Sequence, residues 1–218
     1  MKKIMMIAAL MVATLSASAQ NEVGQITLKP MVGMNLATMT KFENKNLRVG
    51  LTAGVEAESG IAKNLDVSVG ILYSMQGVKG KEGAAMIDLS YLGLGIIDFT
   101  GKQTIKLDYI NIPVLLNYYI LPGLAIKAGI QPEFCVSKKM NTKGTATVKA
   151  AGGTMNIDSD DKIEGAKTFA LSIPFGLSYE YESFVLDARY NLGVTKAFDN
   201  YDAKNSWFSF TLGYKFAL

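Results

Sequence analysis

Apolar and polar residues alternate along the last segment of the chain, which ends at Phe216. From Phe208 onward the even-numbered residues are apolar or aromatic, and the odd-numbered residues from Ser209 to Lys215 are small or polar. Successive side chains of a β-strand point to opposite faces, so the pattern predicts a strand with one apolar face. Since about ten residues of such alternation cross a bilayer as a tilted strand, the segment predicts a membrane-spanning β-strand.

Seven earlier segments repeat this alternation, and together they predict eight strands. The strands cover about residues 26–36, 47–58, 65–76, 104–119, 124–136, 167–181, 184–195 and 207–216. Short turns follow the second, fourth and sixth strands, and the other connections are longer. The longer connections are 37–46, 77–103, 137–166 and 196–206. Because short turns at one end and long loops at the other are typical of outer-membrane barrels, we predict an all-β, eight-stranded antiparallel up-and-down transmembrane β-barrel.

The aromatic face of the last strand argues against a soluble barrel. A soluble lipocalin-like barrel would place its apolar face inside, yet it would then expose Phe208, Phe210 and Tyr214 on a patch too large for an ordinary soluble monomer.

The connection 77–103 contains an apolar piece, Met86 to Phe99. This piece is either a strand extension above the membrane or a short segment that packs over the barrel mouth, and both interpretations stay open.

The N-terminus has the features of an export signal. Lys2 and Lys3 precede an apolar run from Ile4 to Leu15, and Ala17-Ser-Ala19 fits the small-x-small cleavage pattern. The apolar run is too short for a transmembrane anchor. We therefore predict a signal peptide at 1–19, cleaved near Ala19, and a barrel domain at 20–218 in the outer membrane.

The face opposite the apolar one carries charges of both signs. An eight-stranded barrel is just wide enough for side chains to fill its interior, and buried charges must pair or be hydrated. The main hypothesis is therefore a salt-bridged polar plug, and the alternative is a narrow pore or binding site. The predicted ionic network of the lumen is Lys29, Arg48, Glu56, Asp66, Lys127, Glu133, Glu180, Asp187, Arg189 and Lys215.

Composition restricts the chemistry. The chain has one cysteine, Cys135, and no histidine, which excludes an intrachain disulfide framework and removes the commonest general base and metal ligand. The formal charge of +3 does not favour nucleic acid as a partner. The acidic run from Asp158 does not have the glycine that a calcium loop needs at its sixth position, where Ile163 stands. We expect no cofactor, no metal and no enzymatic activity.

Two prolines, Pro113 and Pro174, fall inside predicted strands on the inward side. Proline removes a ladder donor and is usually found at edges and bulges. The sequence therefore predicts a β-bulge at each, with a functional kink near a pore as the alternative.

Several motifs resemble those of the PorT-like outer-membrane β-barrel proteins of the Bacteroidetes. Leu107-Asp-Tyr-Ile-Asn-Ile-Pro-Val-Leu-Leu-Asn-Tyr118 resembles the Tyr-Leu-Glu-Ile-Pro-Leu-Leu strand of that family. Further matches, in the expected order, are Gly33-Met-Asn-Leu36, Gly70-Ile-Leu-Tyr-Ser-Met-Gln-Gly77, Leu186-Asp-Ala-Arg-Tyr-Asn-Leu-Gly193 and Leu212-Gly-Tyr-Lys-Phe216. The resemblance implies an eight-stranded outer-membrane barrel but no general activity. Its namesake is associated with a protein secretion system.

These observations define the expected function and partners. We expect a structural or surface-binding protein with a mostly plugged lumen; the alternatives are a small pore for ions or small solutes and, by family analogy, an accessory component of secretion. The expected partners are outer-membrane lipid, the barrel insertion machinery and an extracellular ligand bound through loops 77–103 and 137–166. Ala217 and Leu218 follow Phe216, whereas many such barrels end on the aromatic residue that the insertion machinery reads.

Overall fold

A computed structural model describes residues 22–42, 44–89, 95–148 and 153–218, so the predicted signal peptide lies outside the described residues. The strands, in chain order, are β1 (Ile26–Met39), β2 (Lys45–Asn46), β3 (Arg48–Ala62), β4 (Leu65–Gly80), β5 (Gly83–Leu89), β6 (Gly95–Asn111), β7 (Val114–Leu121), β8 (Leu124–Val148), β9 (Gly153–Lys162), β10 (Phe169–Tyr181), β11 (Phe184–Gly193), β12 (Asn205–Tyr214) and β13 (Phe216–Ala217). Within these ranges, no helix has the length and apolar character to span a membrane.

The strands close into a ring of eight. Each strand of the ring pairs antiparallel with its sequence neighbours, and β1 closes the ring by pairing with both β3 and β12, as in the register Val32 to Leu212. In this ring β6 and β7 act as one strand, since both pair with β4 on one side and β8 on the other. The predicted eight-stranded antiparallel barrel is therefore confirmed.

Tight turns join the strands at one end of the barrel, which we call the turn end. They lie at Lys63–Asn64, Pro122–Gly123 and Glu182–Ser183. Each turn includes a residue with positive φ: 64° at Asn64, 78° at Gly123 and 53° at Glu182. Asparagine and glycine adopt this conformation readily, so the local sequence favours at least two of the reversals.

The opposite end, the loop end, differs from the prediction. The segments 77–103 and 137–166, predicted as loops, are largely strand, because β5 and β9 extend the sheet and β6 pairs with β8 as far as Ile97 and Val148. The first of the two interpretations of 77–103, a strand extension, is thus the one observed. The segment 137–166 is rich in lysine, threonine and aspartate, yet much of it forms paired strand, because β-propensity depends strongly on pairing context.

The predicted bulges at the two prolines are wrong. Asn111 pairs with Glu133 and Val114 with Ile130, so the ladder passes Pro113 with the same number of residues on both strands. The same holds at Pro174, where the pairing of β10 with β8 resumes without a shift in register. Each proline therefore interrupts the ladder by its missing N–H without inserting an extra residue.

The two faces of the wall have the predicted polarity. Outward residues such as Leu186, Phe210 and Leu212 are exposed, whereas the alternating inward residues are buried. Aromatic rings form two clusters on the outward side: Phe175, Tyr190 and Phe208 nearer the loop end, and Phe184, Tyr214 and Phe216 nearer the turn end.

Candidate functional site

The interior of the barrel holds an alternating chain of buried charges. Arg189 on β11 lies at its centre and reaches across the lumen to Glu56 on β3 with N–O distances of 2.5 and 2.9 Å. The same guanidinium donates to both oxygens of Asp187, two residues before it, at 2.6 and 2.8 Å. Two residues of separation place both side chains on the same side of a strand, so their pairing follows from the strand period.

Two lysines extend this chain. Lys29 Nζ lies 2.9 Å from Glu56 and 3.9 Å from Asp187, and Lys127 Nζ lies 3.1 Å from Asp187 and 3.8 Å from Glu58. The five carboxylate and ammonium groups at these contacts are at most 2% exposed. Charges removed from water to this extent are stable only when they are paired, and each of them has more than one partner.

The chain continues to the turn end of the lumen. Lys215 Nζ lies 2.9 Å from Glu58 and 2.5 Å from Glu180, and the hydroxyl of Tyr119 donates to Glu58. Asn117 donates to the other oxygen of Glu58 at 2.9 Å. The cluster therefore balances four cations against four carboxylates in the described lumen: Lys29, Lys127, Arg189 and Lys215 against Glu56, Glu58, Glu180 and Asp187.

Small residues make room for these long side chains. A Cβ at Gly70 would lie 2.6 Å from Cγ of Glu56, and a Cβ at Gly213 would lie 2.9 Å from Cγ of Lys29. Glycine at these inward positions is thus what allows the charged side chains to cross a barrel of this width.

The remaining predicted network residues lie elsewhere in the lumen. Glu133 contacts neutral groups: Gln131 donates to it at 3.0 Å and Ser172 at 2.5 Å. Asp66 is buried on β4, where it pairs in register with Asn117. Arg48 lies at the loop end, where it pairs with Asp108 at 3.2 Å and donates to the carbonyl of Gln76.

Sequence reasoning left Glu58 out of the network, although it bridges Lys127 and Lys215. The signal was present, since Glu58 has the same parity as Glu56 on the same strand. The contributions of Asn117 and Tyr119 depend on where β7 lies relative to β3 in the ring, which the parity of a single strand does not show.

Above the polar layers, an apolar cluster closes the lumen at the loop end. Its buried members come from five of the ring strands, which are β1, β4, β6, β8 and β10, and from the connections that precede β10 and β12. They are Met39, Val78, Leu107, Tyr109, Cys135, Ala166, Ala170, Ala197 and Ala203. Tyr109 also accepts a hydrogen bond from Asn205 at 3.1 Å. The lumen is thus filled by ion pairs near the turn end and by apolar side chains near the loop end.

Four strands continue beyond this mouth as one sheet, which we call the protruding sheet. It consists of β5, the part of β6 from 95 to 106, the part of β8 from 139 to 148, and β9. Register gives it two different faces. The inner face, on the lumen side, carries Phe99, Gly101, Ile105, Met140, Gly144, Ala146, Met155 and Ile157; the outer face carries Thr100, Lys102, Lys106, Lys143, Thr145, Asn156, Asp158 and Asp160.

A row of glycines crosses the protruding sheet at Gly83, Gly101 and Gly144. On the inner face, Cζ of Phe99 lies 2.7 and 2.8 Å from the positions that a Cβ would take at Gly101 and Gly144, so the ring covers both glycines. On the outer face Gly101 and Gly144 form the floor of a polar groove of 360 Å³. Its walls are Thr100, Thr145 and Asn156 on one side and Glu82, Lys102, Lys143 and Asp158 on the other.

Ion pairs hold the outer face of this sheet. Lys143 donates to Asp158 at 2.8 Å and Lys106 to Asp160 at 2.9 Å. The hydrogen bond from Lys143 lowers the pKa of Asp158, and the hydrogen bond from Lys106 lowers the pKa of Asp160. The described residues contain no group of three or more histidine, cysteine or acidic side chains arranged to hold a metal ion.

Residues 18–199 match the family described as outer membrane protein beta-barrel domain. The chain belongs to this family. It is therefore an outer-membrane β-barrel protein, and its outward apolar wall faces lipid. No curated protein sequence matches the chain.

Solved structures of other outer-membrane barrels are similar to this one. Ail, the attachment invasion locus protein of Yersinia pestis, is 12% identical with a TM-score of 0.42, over 89% of this chain and 100% of that one. Neisserial surface protein A is 14% identical with a TM-score of 0.45, over 88% of this chain and 97% of that one. A structure of Ail in complex with the heparin analogue sucrose octasulfate is 12% identical with a TM-score of 0.39, over 89% and 100% of the two chains. Likeness at this level concerns the fold alone.

An apolar groove on the outer wall of the barrel is not a candidate solute site. It has a volume of 610 Å³ and lies on the outer wall, lined by side chains such as Val32, Leu186 and Phe210. In an outer-membrane barrel this wall is embedded in lipid, so acyl chains fill the groove. The candidate functional features are therefore the filled lumen and the protruding sheet.

Proposed function

We propose that this outer-membrane barrel is a non-enzymatic surface protein with a closed lumen, and that its binding surface is the protruding sheet. The observation that carries the proposal is the ion pair between Arg189 and Glu56, which spans the lumen of a barrel whose mouth is filled by Leu107, Tyr109 and their neighbours. A barrel filled in this way offers no continuous water path for a solute.

The length of the sheet supports a role outside the membrane. The part of β8 that belongs to the sheet, from Lys139 to Val148, corresponds to about 33 Å of extended strand, at about 3.3 Å per residue. Paired strands hold their shape better than single loops, because every interior backbone group has a partner. The sheet therefore presents its outer face, including the 360 Å³ polar groove, as a rigid surface to the cell exterior.

Conductance in planar bilayers tests the closed lumen. We expect the refolded protein to give no steady channel current. The competing function, a small pore for ions or small solutes, predicts a steady current that changes when Lys127 or Asp187 is neutralised. A reproducible conductance in the unaltered protein would overturn the closed-lumen proposal.

Removal of the sheet tips tests the binding role. We propose to replace residues 84–100 and 143–158 by short glycine-serine turns, and to compare the trimmed and full proteins on glycan and extracellular-protein arrays. The trimmed barrel keeps the ring, so its heat-modifiable gel migration is the control for folding. The proposal expects array signals that the full protein gives and the trimmed protein does not; equal signals from both would contradict it.

We also propose that the chain is a PorT-like member of its family and that it is processed near Ala19. The first proposal is supported by the motif around Pro113, from Leu107 to Tyr118. A role as an accessory component of secretion rests on that resemblance alone. Deletion of the gene, followed by analysis of secreted proteins, tests that role.

A further inference from the structure

β5 is an edge strand of the protruding sheet. In the part of the chain that the structure describes, β5 pairs only with β6, from Gly83 with Gly101 to Leu89 with Gly95. On the side away from β6, hydrogen-bonded pairing stops before β5 begins. The last contacts there are the pairing of β2 with Lys79 and Gly80 and the hydrogen bond from the N–H of Lys81 to the carbonyl of Asn44. The outer edge of β5 therefore presents backbone N–H and C=O groups to water, which makes it a template for a further strand.

The other edge of the sheet is protected, and β5 is not. β9 has the sequence GTMNIDSDDK, in which four of ten residues are charged, and Asp158 and Asp160 are held by Lys143 and Lys106. β5 has the sequence GAAMIDL, with one charged residue and neither lysine nor proline. Charged residues and proline are the usual protection of edge strands against pairing with another chain. Only one of the two edges is therefore left open to a partner.

The side chains beside the open edge indicate what a partner strand would carry. Ala85 lies on the inner face in register with Phe99, so a strand added to β5 would meet an apolar row on that face. Lys79, Lys81 and Lys102 lie at the foot of the edge, where Glu82 and Lys102 line the same wall of the groove. The foot is thus basic, and it favours an acidic end on the partner.

We propose that the outer edge of β5 binds an extended strand of a partner protein, which pairs antiparallel to β5, places alternating apolar side chains on the inner face and has its acidic C-terminal end at the foot. This inference rests on the proposed surface-binding function and names the class of partner. Main-chain hydrogen bonds provide the affinity in this mode of recognition, and alternating side chains provide the specificity.

The β5 strand of a second copy fits the edge less well. β5 runs outward from the membrane, since it continues β4 away from the turn end. Two barrels in one membrane have the same orientation, so their β5 strands would pair parallel, which is slightly less stable per residue than antiparallel pairing. Pairing with β5 of a second copy is therefore disfavoured. β9 of a second copy runs inward and would be antiparallel to β5, so the oligomeric state of the Met86→Lys variant distinguishes that pairing from a strand of a different protein.

The test uses the full mature barrel in nanodiscs and a synthetic peptide. The peptide has the sequence of residues 95–101, the part of β6 that pairs with β5, followed by two glutamates. We expect saturable binding by fluorescence anisotropy. Met86→Lys places a lysine on the edge at a side chain that is 75% exposed, so the barrel should fold unchanged while the Kd rises about tenfold or more.

Matched controls identify the mode of binding. Met155→Lys makes the same change on the β9 edge, at a side chain that is 63% exposed, and should leave the Kd unchanged. A peptide methylated at alternate backbone nitrogens should not bind, and one ending in two lysines should bind more weakly. The proposal fails if the first peptide does not bind, if both lysine variants weaken binding equally, or if the methylated peptide binds as well.

Two other outcomes separate this inference from its alternatives. A change of oligomeric state in Met86→Lys, measured by sedimentation, would assign the edge to a second copy and overturn the proposal. If the trimmed barrel loses array binding while the peptide does not bind to β5, the surface-binding function stands and the strand-pairing inference is wrong.

Discussion

Arg189 and Glu56 form a two-pronged ion pair across the lumen, with N–O distances of 2.5 and 2.9 Å, between strands that are separated in the ring by β12 and β1. The planar guanidinium matches a carboxylate in this bidentate geometry, which a lysine cannot reproduce. Because the pair connects opposite walls, it ties together parts of the barrel that share no ladder.

Loss of this arginine should destabilise the barrel strongly. Arg189→Met leaves Glu56 and Asp187 with fewer positive partners in a dry interior, and breaking a buried pair in this way costs about 3–5 kcal/mol. Urea unfolding in detergent micelles, followed by heat-modifiable gel migration, measures the change. Lys143→Met breaks an exposed pair and should leave the unfolding midpoint unchanged. Equal effects of the two substitutions would show that the lumen pair contributes no more to the free energy of unfolding than the exposed pair does.

Two glutamates of the lumen should respond oppositely to the same isosteric change. Glu56→Gln removes the partner of Arg189 and Lys29, and we expect a loss of about 3–5 kcal/mol. Glu133→Gln replaces a carboxyl group whose contacts, Gln131 and Ser172, are neutral, so stability should be kept or increased. The same unfolding assay measures both variants. A large loss in Glu133→Gln would reveal a charge partner that the structure does not show.

A charged side chain at the middle of the outer wall should destabilise the barrel. Leu212 lies between the two aromatic clusters, paired in register with Leu186 and Val32. Leu212→Arg should cost about 2–4 kcal/mol, as expected for arginine near the bilayer midplane. Asn200→Arg, at an exposed position of the loop end, is the control and should have no effect. Unfolding in lipid vesicles is the appropriate measurement, and tolerance of Leu212→Arg would argue against the lipid-facing assignment of this strand.

As the pH falls, the protruding sheet should lose stability before the barrel does. The pKa of Asp158 lies below its ordinary value of 3.8 because Lys143 donates to its carboxylate. The contribution of this pair is therefore complete above that value and is lost as the pH falls through the lower, folded-state pKa. Pepsin cleavage between β8 and β9 should increase as the pH is lowered below 3.8. Relative to cleavage of an unstructured substrate at each pH, Asp158→Asn should show a smaller pH response over the same range, because Asp160 still titrates. A pH response identical to that of the unaltered protein would exclude the Lys143–Asp158 pair as the cause.

Processing of the N-terminus can be measured directly. We expect the mature protein to begin at Gln20, because Ala17-Ser-Ala19 fits the cleavage pattern of exported proteins. Mass spectrometry of the protein from outer-membrane fractions identifies the first residue. Substitution of Ala19 by a bulky residue should retain the uncleaved form, and a mature protein that still contains Lys2 would contradict the prediction.

The sequence by itself determined the number of strands in the ring, their order and the face to which each of their side chains points. These features are local, since the period of two assigns every residue of a strand to one face, and the tight turns set which strands are neighbours. This is why Lys29, Lys127, Asp187 and Arg189 could be placed in the lumen before any contact was known. The same logic failed in 137–166, because the strand character of that segment comes from pairing with β6.

Only the tertiary structure decided which charges meet and which edge stays open. Closure of the ring brings Arg189 to Glu56, with 132 residues of chain between them. The alternation of apolar and polar residues assigns both side chains to the lumen, but it does not show which residues meet across it. Likewise, β5 became an exposed edge because β2 and β3 end below it, so the lengths of other strands fix its environment. Distances across the barrel and the heights at which strands stop are properties of the closed ring, not of any single strand.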